Sequence, residues 1–155
     1  MGLESPRQTE GNKMTKLEMV SAPAPLKELY KSALLARENA YVPYSGFKVG
    51  AAIRTADGHV FSGCNVENSS YGGTNCAERV AIQKAVSERG PLSIVEIMIV
   101  THADPAWPPC GMCRQVIAEF AGENPVIYTA NLNGIYQKFL FESLFPYAFT
   151  PEHLK

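Results

Sequence analysis

Two short cysteine-containing segments, whose first cysteines lie 34 positions apart, constrain the fold of this chain more than any other feature of its sequence. The first segment is Cys76-Ala77-Glu78, and the second is Pro109-Cys110-Gly111-Met112-Cys113. Three cysteines suit one zinc ion, and zinc normally takes four ligands, so three thiolates leave one position open for water. A zinc ion with a free coordination position beside a carboxylate is typical of sites that catalyse hydrolysis. The sequence therefore predicts a fold that brings both segments to one metal, with Glu78 moving the proton.

Both segments are predicted to lie at helix starts. Cys110 and Cys113 are three residues apart and share one face of a first helical turn, and Cys76 has the equivalent place in another helix. The free N–H groups and the positive dipole at a helix start favour thiolate over thiol. Three thiolates and Zn²⁺ carry a net negative charge, which the two helix ends and Arg79 can partly offset.

Other interpretations of these residues stay open from the sequence alone. A closed structural zinc site needs a fourth protein ligand. The candidates for that ligand are Cys64, His59, His102 and His153. A redox Cys-x-x-Cys pair is a further alternative, although it leaves Cys76 and Glu78 unused. Glu78 also fits the third helical position of a capping box that has Asn75 as its N-cap.

Composition and charge limit the class of partner. The chain has 155 residues, of which 46% are apolar and 19% charged, and its formal net charge is -1. This length favours one domain, and this charge argues against a broad basic surface for nucleic acid. The most apolar stretch, residues 93–101, is too short to span a bilayer, so no membrane partner is expected. We see no signal-peptide pattern and expect a cytoplasmic, reducing location, where Cys-x-x-Cys favours metal binding or catalysis over a disulfide.

The pattern of apolar residues predicts a flexible tail over residues 1–24 and a single domain over residues 25–155. Helices are predicted at residues 25–40, 76–88, 110–120 and 141–144. Strands are predicted at residues 47–55, 59–66, 94–100, 126–130 and 135–139, the first two joined by a hairpin turn at Asp57-Gly58. This order predicts an α/β fold with a mixed, mainly five-stranded sheet and helices on both faces, as a three-layer α-β-α arrangement.

Four segments together resemble the small homotetrameric, zinc-dependent cytidine deaminases, over about residues 26–153. These segments are Tyr44-Ser45-Gly46-Phe47, Gly63-Cys64-Asn65-Val66-Glu67-Asn68, Cys76-Ala77-Glu78-Arg79 and Cys110-Gly111-Met112-Cys113-Arg114-Gln115.

The resemblance implies an enzyme that hydrolyses cytidine and 2′-deoxycytidine to the uridines and releases ammonia. It implies that Cys76, Cys110 and Cys113 hold one Zn²⁺ per subunit, and that Glu78 passes a proton from water to the ring and then to the amine. It also implies a homotetramer with its sites at subunit interfaces. The implied substrate contacts are Asn65 and Glu67 at the ribose hydroxyls, Tyr71 beside the nucleoside, Ala77 and Phe47 at the base, and Phe149 stacked on the base from a neighbouring subunit.

The residue types at the implied sugar contacts agree with a nucleoside. Asn65 and Glu67 alternate along a strand end and so face the same side. An amide and a carboxylate suit neutral hydroxyl groups, whereas a phosphate would call for Arg or Lys. Without the metal cluster, the same pair would be read as solvated strand-end groups. Phe47 would equally suit packing in the core.

Two departures from the family pattern keep a second substrate open. Gly72-Gly73 before the first cysteine segment resembles the blasticidin S deaminases, which act on an aminonucleoside antibiotic. Residues 103–109 carry Trp107 and extra proline beside the predicted metal site, where they could alter the shape of the substrate pocket. Glu67 favours the cytidine branch.

Overall fold

A computed structural model of the protein describes residues 15–155. That part of the chain forms six strands and four α-helices. The strands are β1 (Leu17–Glu18), β2 (Gly50–Thr55), β3 (Val60–Cys64), β4 (Ile94–Val100), β5 (Ala121–Ala130) and β6 (Ile135–Leu140). The helices are α1 (Ala24–Glu38), α2 (Ala77–Arg89), α3 (Gly111–Phe120) and α4 (Phe141–Leu144).

The six strands form one mixed sheet in the order β1-β6-β5-β4-β2-β3. Strands β4 and β5 are parallel and joined through α3, while every other neighbouring pair is antiparallel. The predicted mixed sheet is confirmed. The predicted number of five main strands is one too few, because the two-residue β1 adds an edge strand beside β6.

Helices cover both faces of the sheet, as predicted. Alternate residues of β4 point to opposite faces: Met98 and Val100 pack with the buried side of α1, and Ile97 and Ile99 pack with α2 and α3. A strand covered on both faces needs apolar side chains at consecutive positions, which explains its nearly continuous aliphatic sequence. The result is three layers, with α1 on one face of the sheet and α2 and α3 on the other.

The described segment before α1 is packed, which corrects the prediction of a flexible tail over residues 17–22. Leu17 pairs with Tyr136 in the sheet. Met19 is only 6% exposed, and its N–H donates to the carbonyl of Gly134 at 2.7 Å. Residues 1–14 of the predicted tail lie outside the described residues.

Strand β3 and helix α2 approach each other closely at Gly63. A Cβ atom at this position would lie 2.6 Å from the backbone nitrogen of Ala81 and 2.9 Å from the carbonyl oxygen of Ala77. Such distances are too short for any residue other than glycine, so Gly63 permits the first turns of α2 to lie against the strand. None of the helices described is both long enough and apolar enough to cross a membrane.

Candidate metal and substrate site

Two helix starts bring three cysteines together. Cys76 is the N-cap residue of α2, Cys110 is the N-cap residue of α3, and Cys113 lies in the first turn of α3. Their Sγ atoms all lie within 4.8 Å of one another, and those of Cys76 and Cys110 are 3.9 Å apart. A tetrahedral zinc ion with metal–sulfur distances of ~2.3 Å holds its sulfurs roughly 3.8 Å apart, so the three thiols fit this ion.

The cluster has three protein ligands in the part of the chain that the structure describes. No fourth Cys, His, Asp or Glu side chain from residues 15–155 joins the group. The four candidates for a fourth ligand lie outside it: Cys64, His59, His102 and His153. His102 stacks on Phe47 and His59 contacts Asp57, so these two rings have other partners. The geometry favours an open metal site over a closed structural one.

The surroundings of Cys76 favour its thiolate. Hydrogen bonding with Cys113, supported by Arg79, lowers the pKa of the Cys76 thiol to about 5. The pKa of Cys113 is raised instead, because its proton is shared with Cys76 and because it is buried. The helix starts add their partial positive charge. Cys76 is therefore a thiolate at neutral pH, while the thiol of Cys113 gives up its proton when a cation binds.

Glu78 is buried beside the cluster, with 4% of its surface exposed. Burial, together with the neighbouring Cys76 thiolate, raises the pKa of its carboxyl group to about 7. A carboxyl group with such a pKa can accept and release a proton near neutral pH. The capping-box interpretation of Glu78 is wrong, because α2 has Cys76 as its N-cap and no side-chain cap bond, while Asn75 bridges to Val66 instead.

A cavity of about 160 Å³, here called the inner cavity, lies against this cluster. Its lining includes Cys76, Ala77, Glu78, Cys110, Asn65, Thr74, Thr101 and Trp107. The structure therefore brings Cys76, Glu78 and Cys110, three of the predicted metal and catalytic residues, to one concave surface, together with the predicted substrate contacts Asn65 and Ala77.

A second cavity of about 350 Å³, here called the outer cavity, is lined by Tyr44, Ser45, Glu67, Tyr71 and Thr74. Thr74 lines both cavities, so the two are adjacent. Among residues 15–155, no Lys or Arg contributes to either lining. A third cavity, of about 490 Å³, lies between the end of α3, α4 and the C-terminal segment, and no cysteine or histidine lines it.

Asn65 and Glu67 both turn towards the loop of residues 44–49, in agreement with the prediction that they face the same side. Asn65 Nδ2 donates to the carbonyl of Phe47 at 2.8 Å, and Asn65 Oδ1 accepts from the N–H of Val49 at 2.9 Å. Glu67 accepts from the N–H groups of Tyr44 and Ser45. These bonds replace sheet pairing, which is why the strand predicted from residue 47 begins only at Gly50.

Phe47 is not a core residue. Half of its surface is exposed. Its ring stacks on His102 at a centroid distance of 5.3 Å, and the edge of Trp107 contacts it at 5.6 Å. Because Trp107 also lines the inner cavity, Phe47 belongs to an aromatic group at the edge of that cavity.

Tyr71 and Phe149 lie at the surface. Tyr71 is 77% exposed, lines the outer cavity and contacts the ring of Tyr44 edge-on at 5.8 Å. Phe149 lines neither the inner nor the outer cavity of its own chain, and its ring stacks on His153 at 5.4 Å. Its role in the site of a neighbouring subunit stays a prediction.

Sequence reasoning missed two residues that shape the cavities. Ser45 lies within a motif already singled out, but its hydrogen bonds depend on a contact with Glu67, 22 positions away. Thr74 lies in the glycine-rich segment before Cys76, where only its polar side chain and its place next to the metal motif could have marked it.

Comparison with known proteins agrees with this geometry. A family model for the zinc-binding region of cytidine and deoxycytidylate deaminases matches residues 24–129. A cytidine deaminase of Halalkalibacterium halodurans is 50% identical over 126 residues, which span 81% of this chain and 95% of that protein. A crystal structure of cytidine deaminase from Burkholderia pseudomallei superimposes with a TM-score of 0.74 at 42% identity, covering 79% of this chain and 98% of that one.

A blasticidin-S deaminase of Bacillus cereus is also similar, at 36% identity over 110 residues, which span 66% of this chain and 76% of that protein. The identity to this relative is lower than that to the cytidine deaminase. With its three-cysteine cluster, its buried glutamate and a family match over most of its length, the chain belongs to the zinc-binding cytidine and deoxycytidylate deaminase family.

Proposed function

We propose that the protein is a zinc-dependent enzyme that hydrolyses cytidine and 2′-deoxycytidine to uridine and 2′-deoxyuridine, with release of ammonia. The observation that carries this proposal is the buried carboxyl group of Glu78 beside the three-thiol cluster, on the wall of the inner cavity. A hydrolytic deamination needs a water made nucleophilic and a group that moves its proton, and this arrangement offers both.

In the proposed mechanism, Cys76, Cys110 and Cys113 hold the zinc ion. When bound, zinc acts as a Lewis acid that makes water a stronger nucleophile near neutral pH. Glu78 accepts the proton of the attacking water and passes it to the ring nitrogen N3. Glu78 then accepts the proton of the hydroxyl added at C4 and delivers it to the leaving amine as the C4–N bond breaks, so water and cytidine become uridine and ammonia. The raised pKa of Glu78 suits both proton transfers.

The two adjacent cavities suit the two halves of a nucleoside. The inner cavity alone is smaller than the ~300–1,000 Å³ usual for small-molecule sites, whereas both cavities together fall within that range. We place the pyrimidine in the inner cavity, against the backbone of Ala77 and the ring of Phe47. The sugar then lies in the outer cavity, with Asn65 and Glu67 at its hydroxyls and Tyr71 beside it. The described residues of both linings include no Lys or Arg, which favours a nucleoside over a nucleotide.

The assembly that we propose is a homotetramer with its sites at subunit interfaces, in which Phe149 reaches the site of a neighbour. The exposure of Phe149 and of the preceding Tyr147 supports this proposal, since neighbouring exposed aromatic side chains are typical of contact surfaces. We further propose that the enzyme works in pyrimidine salvage in the cytoplasm, where a reducing environment keeps the metal-binding thiols free.

Blasticidin S is the second candidate substrate, because the chemistry at the amino group is the same. Trp107 on the wall of the inner cavity and the glycine pair in the turn at Tyr71–Gly73 support this alternative. The carboxylate of Glu67 in the outer cavity and the higher identity to a cytidine deaminase support cytidine.

One assay separates these candidates. Purified, zinc-loaded protein is incubated with cytidine, 2′-deoxycytidine, cytidine 5′-monophosphate and blasticidin S, and the loss of the amino chromophore is followed. We expect turnover of the first two nucleosides and little turnover of the nucleotide. Preferred turnover of blasticidin S would support the second candidate, and no turnover of any compound by zinc-loaded protein would leave a non-enzymatic zinc module.

A further inference from the structure

Glu67 makes three hydrogen bonds with a single short segment of the chain. Its Oε2 atom accepts from the N–H of Tyr44 at 2.9 Å and from the N–H of Ser45 at 3.2 Å. Its Oε1 atom accepts from the hydroxyl of Ser45. These bonds lower the pKa of the Glu67 carboxyl group, chiefly through the Ser45 hydroxyl. Glu67 is therefore ionised at neutral pH and bound to the loop of residues 44–47.

The hydroxyl of Ser45 has a second partner. Its oxygen accepts from the N–H of Phe47 at 3.1 Å, while it donates its own proton to Glu67. The carbonyl of Phe47 accepts from Asn65. Both polar backbone groups of Phe47 are thus bonded to side chains, one directly to Asn65 and the other through Ser45 to Glu67.

The count of hydrogen bonds leaves Glu67 with room for a ligand. An ionised carboxylate offers about four acceptor positions, and three are occupied by Tyr44 and Ser45. The fourth can accept one hydroxyl from a molecule in the outer cavity, whose lining includes both Ser45 and Glu67. A sugar hydroxyl bound there would be connected to the N–H of Phe47 through two side chains, the carboxylate of Glu67 and the hydroxyl of Ser45.

We propose that Ser45 is a positioning residue that couples recognition of the sugar by Glu67 to the placement of Phe47 beside the base. This inference rests on the proposed function, in which the sugar occupies the outer cavity and the base the inner one. Phe47 donates to Ser45 and Ser45 donates to Glu67, and in such a head-to-tail chain the carboxylate makes the Ser45 oxygen a stronger acceptor for the N–H of Phe47. The same two bonds fix the position of the carboxylate that receives the sugar hydroxyl, so a substrate without that hydroxyl no longer depends on Ser45 for its sugar contact.

The test compares cytidine with 2′,3′-dideoxycytidine, which keeps the base and lacks both ring hydroxyls. We expect Ser45→Ala to lower kcat/KM for cytidine by roughly 10-fold or more, the range for a lost bond to a charged group. The loss with the dideoxynucleoside should be clearly smaller, so that discrimination between the two substrates falls. Ser45→Thr keeps the hydroxyl and should keep most of the discrimination.

Ser143→Ala is the matched control, because the hydroxyl of Ser143 likewise donates a hydrogen bond, to the carbonyl of Leu140, but lies in the lining of neither cavity. It should leave the discrimination unchanged. Zinc content and Tm, measured for every variant, show whether Ser45→Ala retains the metal and the fold.

A double-mutant cycle with Glu67→Gln completes the test. If Ser45 acts through Glu67, the double variant should have a kcat/KM for cytidine only slightly lower than that of Glu67→Gln alone. Equal losses with both substrates, no loss with either, or independent effects in the cycle would overturn the role of Ser45. A wild-type protein that does not deaminate cytidine would instead contradict the proposed function itself.

Discussion

The guanidinium group of Arg79 lies 4.0 Å from the sulfur of Cys76 and donates to the carbonyl of Thr74 at 2.7 Å. One side chain thus places a positive charge beside a metal-binding thiolate and holds the residue that lines both cavities. The predicted charge offset by Arg79 is therefore accompanied by a structural role. Its Nε atom is buried without a hydrogen-bond partner among the described residues, whereas Nη2 makes the contacts with both Cys76 and Thr74.

Arg79→Gln should weaken zinc binding and lower activity. Without the guanidinium the pKa of Cys76 rises, protons compete better with the metal, and zinc is released at a higher pH. Zinc content after dialysis against a weak chelator, measured from pH 5 to 8, checks this expectation. Arg89→Gln, at the other end of the same helix, is the control and should keep the wild-type curve. If Arg79→Gln showed the wild-type dependence of zinc content on pH, the proposal that Arg79 offsets the thiolate charge would be contradicted.

Glu78→Gln should retain zinc and lose activity. The amide nearly matches the shape of the carboxyl group but cannot transport a proton, so kcat should fall by the ~10²–10⁴ typical of general acid–base catalysis. Steady-state kinetics with cytidine, together with metal analysis, measure both properties. Glu88→Gln, an exposed position in the same helix, should change neither. Loss of zinc from the Glu78 variant would show that the carboxyl group supports the metal rather than the proton transfer.

Phe149→Ala should impair catalysis or assembly, because its ring has no contact with the cavities of its own chain. If the ring reaches a neighbouring site, kcat/KM for cytidine falls or the oligomer dissociates at micromolar concentration. Kinetics and analytical ultracentrifugation measure these outcomes. Leu154→Ala, another exposed apolar side chain near the C-terminus, is the control. Normal kinetics in an intact oligomer of the Phe149 variant would refute the proposed contact.

Asp57→Asn should destabilise the protein at neutral pH but not in strong acid. Hydrogen bonds from Thr55 and then His59 lower the pKa of Asp57 from 3.8 to about 2 in the folded protein. A carboxyl group with a lowered folded-state pKa stabilises the fold above its unfolded pKa, and this contribution is lost as the pH falls through the folded value. The difference in Tm between wild type and variant should therefore narrow below about pH 4.

The parts of the fold that depend on local chemistry could be predicted from the sequence. The Asp57-Gly58 turn is one example, since Gly58 adopts a φ of 88° that glycine tolerates and other residues avoid. The nearly continuous aliphatic sequence of β4 predicted a strand buried on both faces, because its apolar residues stand at consecutive positions. The three-cysteine cluster followed from ligand type and spacing, because few arrangements bring a Cys-x-x-Cys pair and a distant cysteine to one ion.

The remaining features depend on contacts between distant residues. Strand β1 has two residues and exists through its pairing with β6, so no periodicity could reveal it. The role of Glu78 depended on whether α2 begins after Asn75 or after Cys76, a difference of one residue that propensity does not settle. The link from Glu67 to Ser45 spans 22 positions and joins two loops.

The close approach at Gly63 means that the geometry of the reaction depends on a residue with no side chain. Cys76 and Glu78 lie at the start of helix α2. This helix can lie so close to the sheet because Gly63 has no Cβ atom between the strand and the helix. Even a methyl group there would push the helix start away from β3, while α3 with Cys110 and Cys113 stayed in place. A displacement of about 1 Å can cost ~10²-fold in rate. Substitution of this glycine would thus resemble an active-site mutation in its kinetics, although the position contributes no atom to either cavity lining.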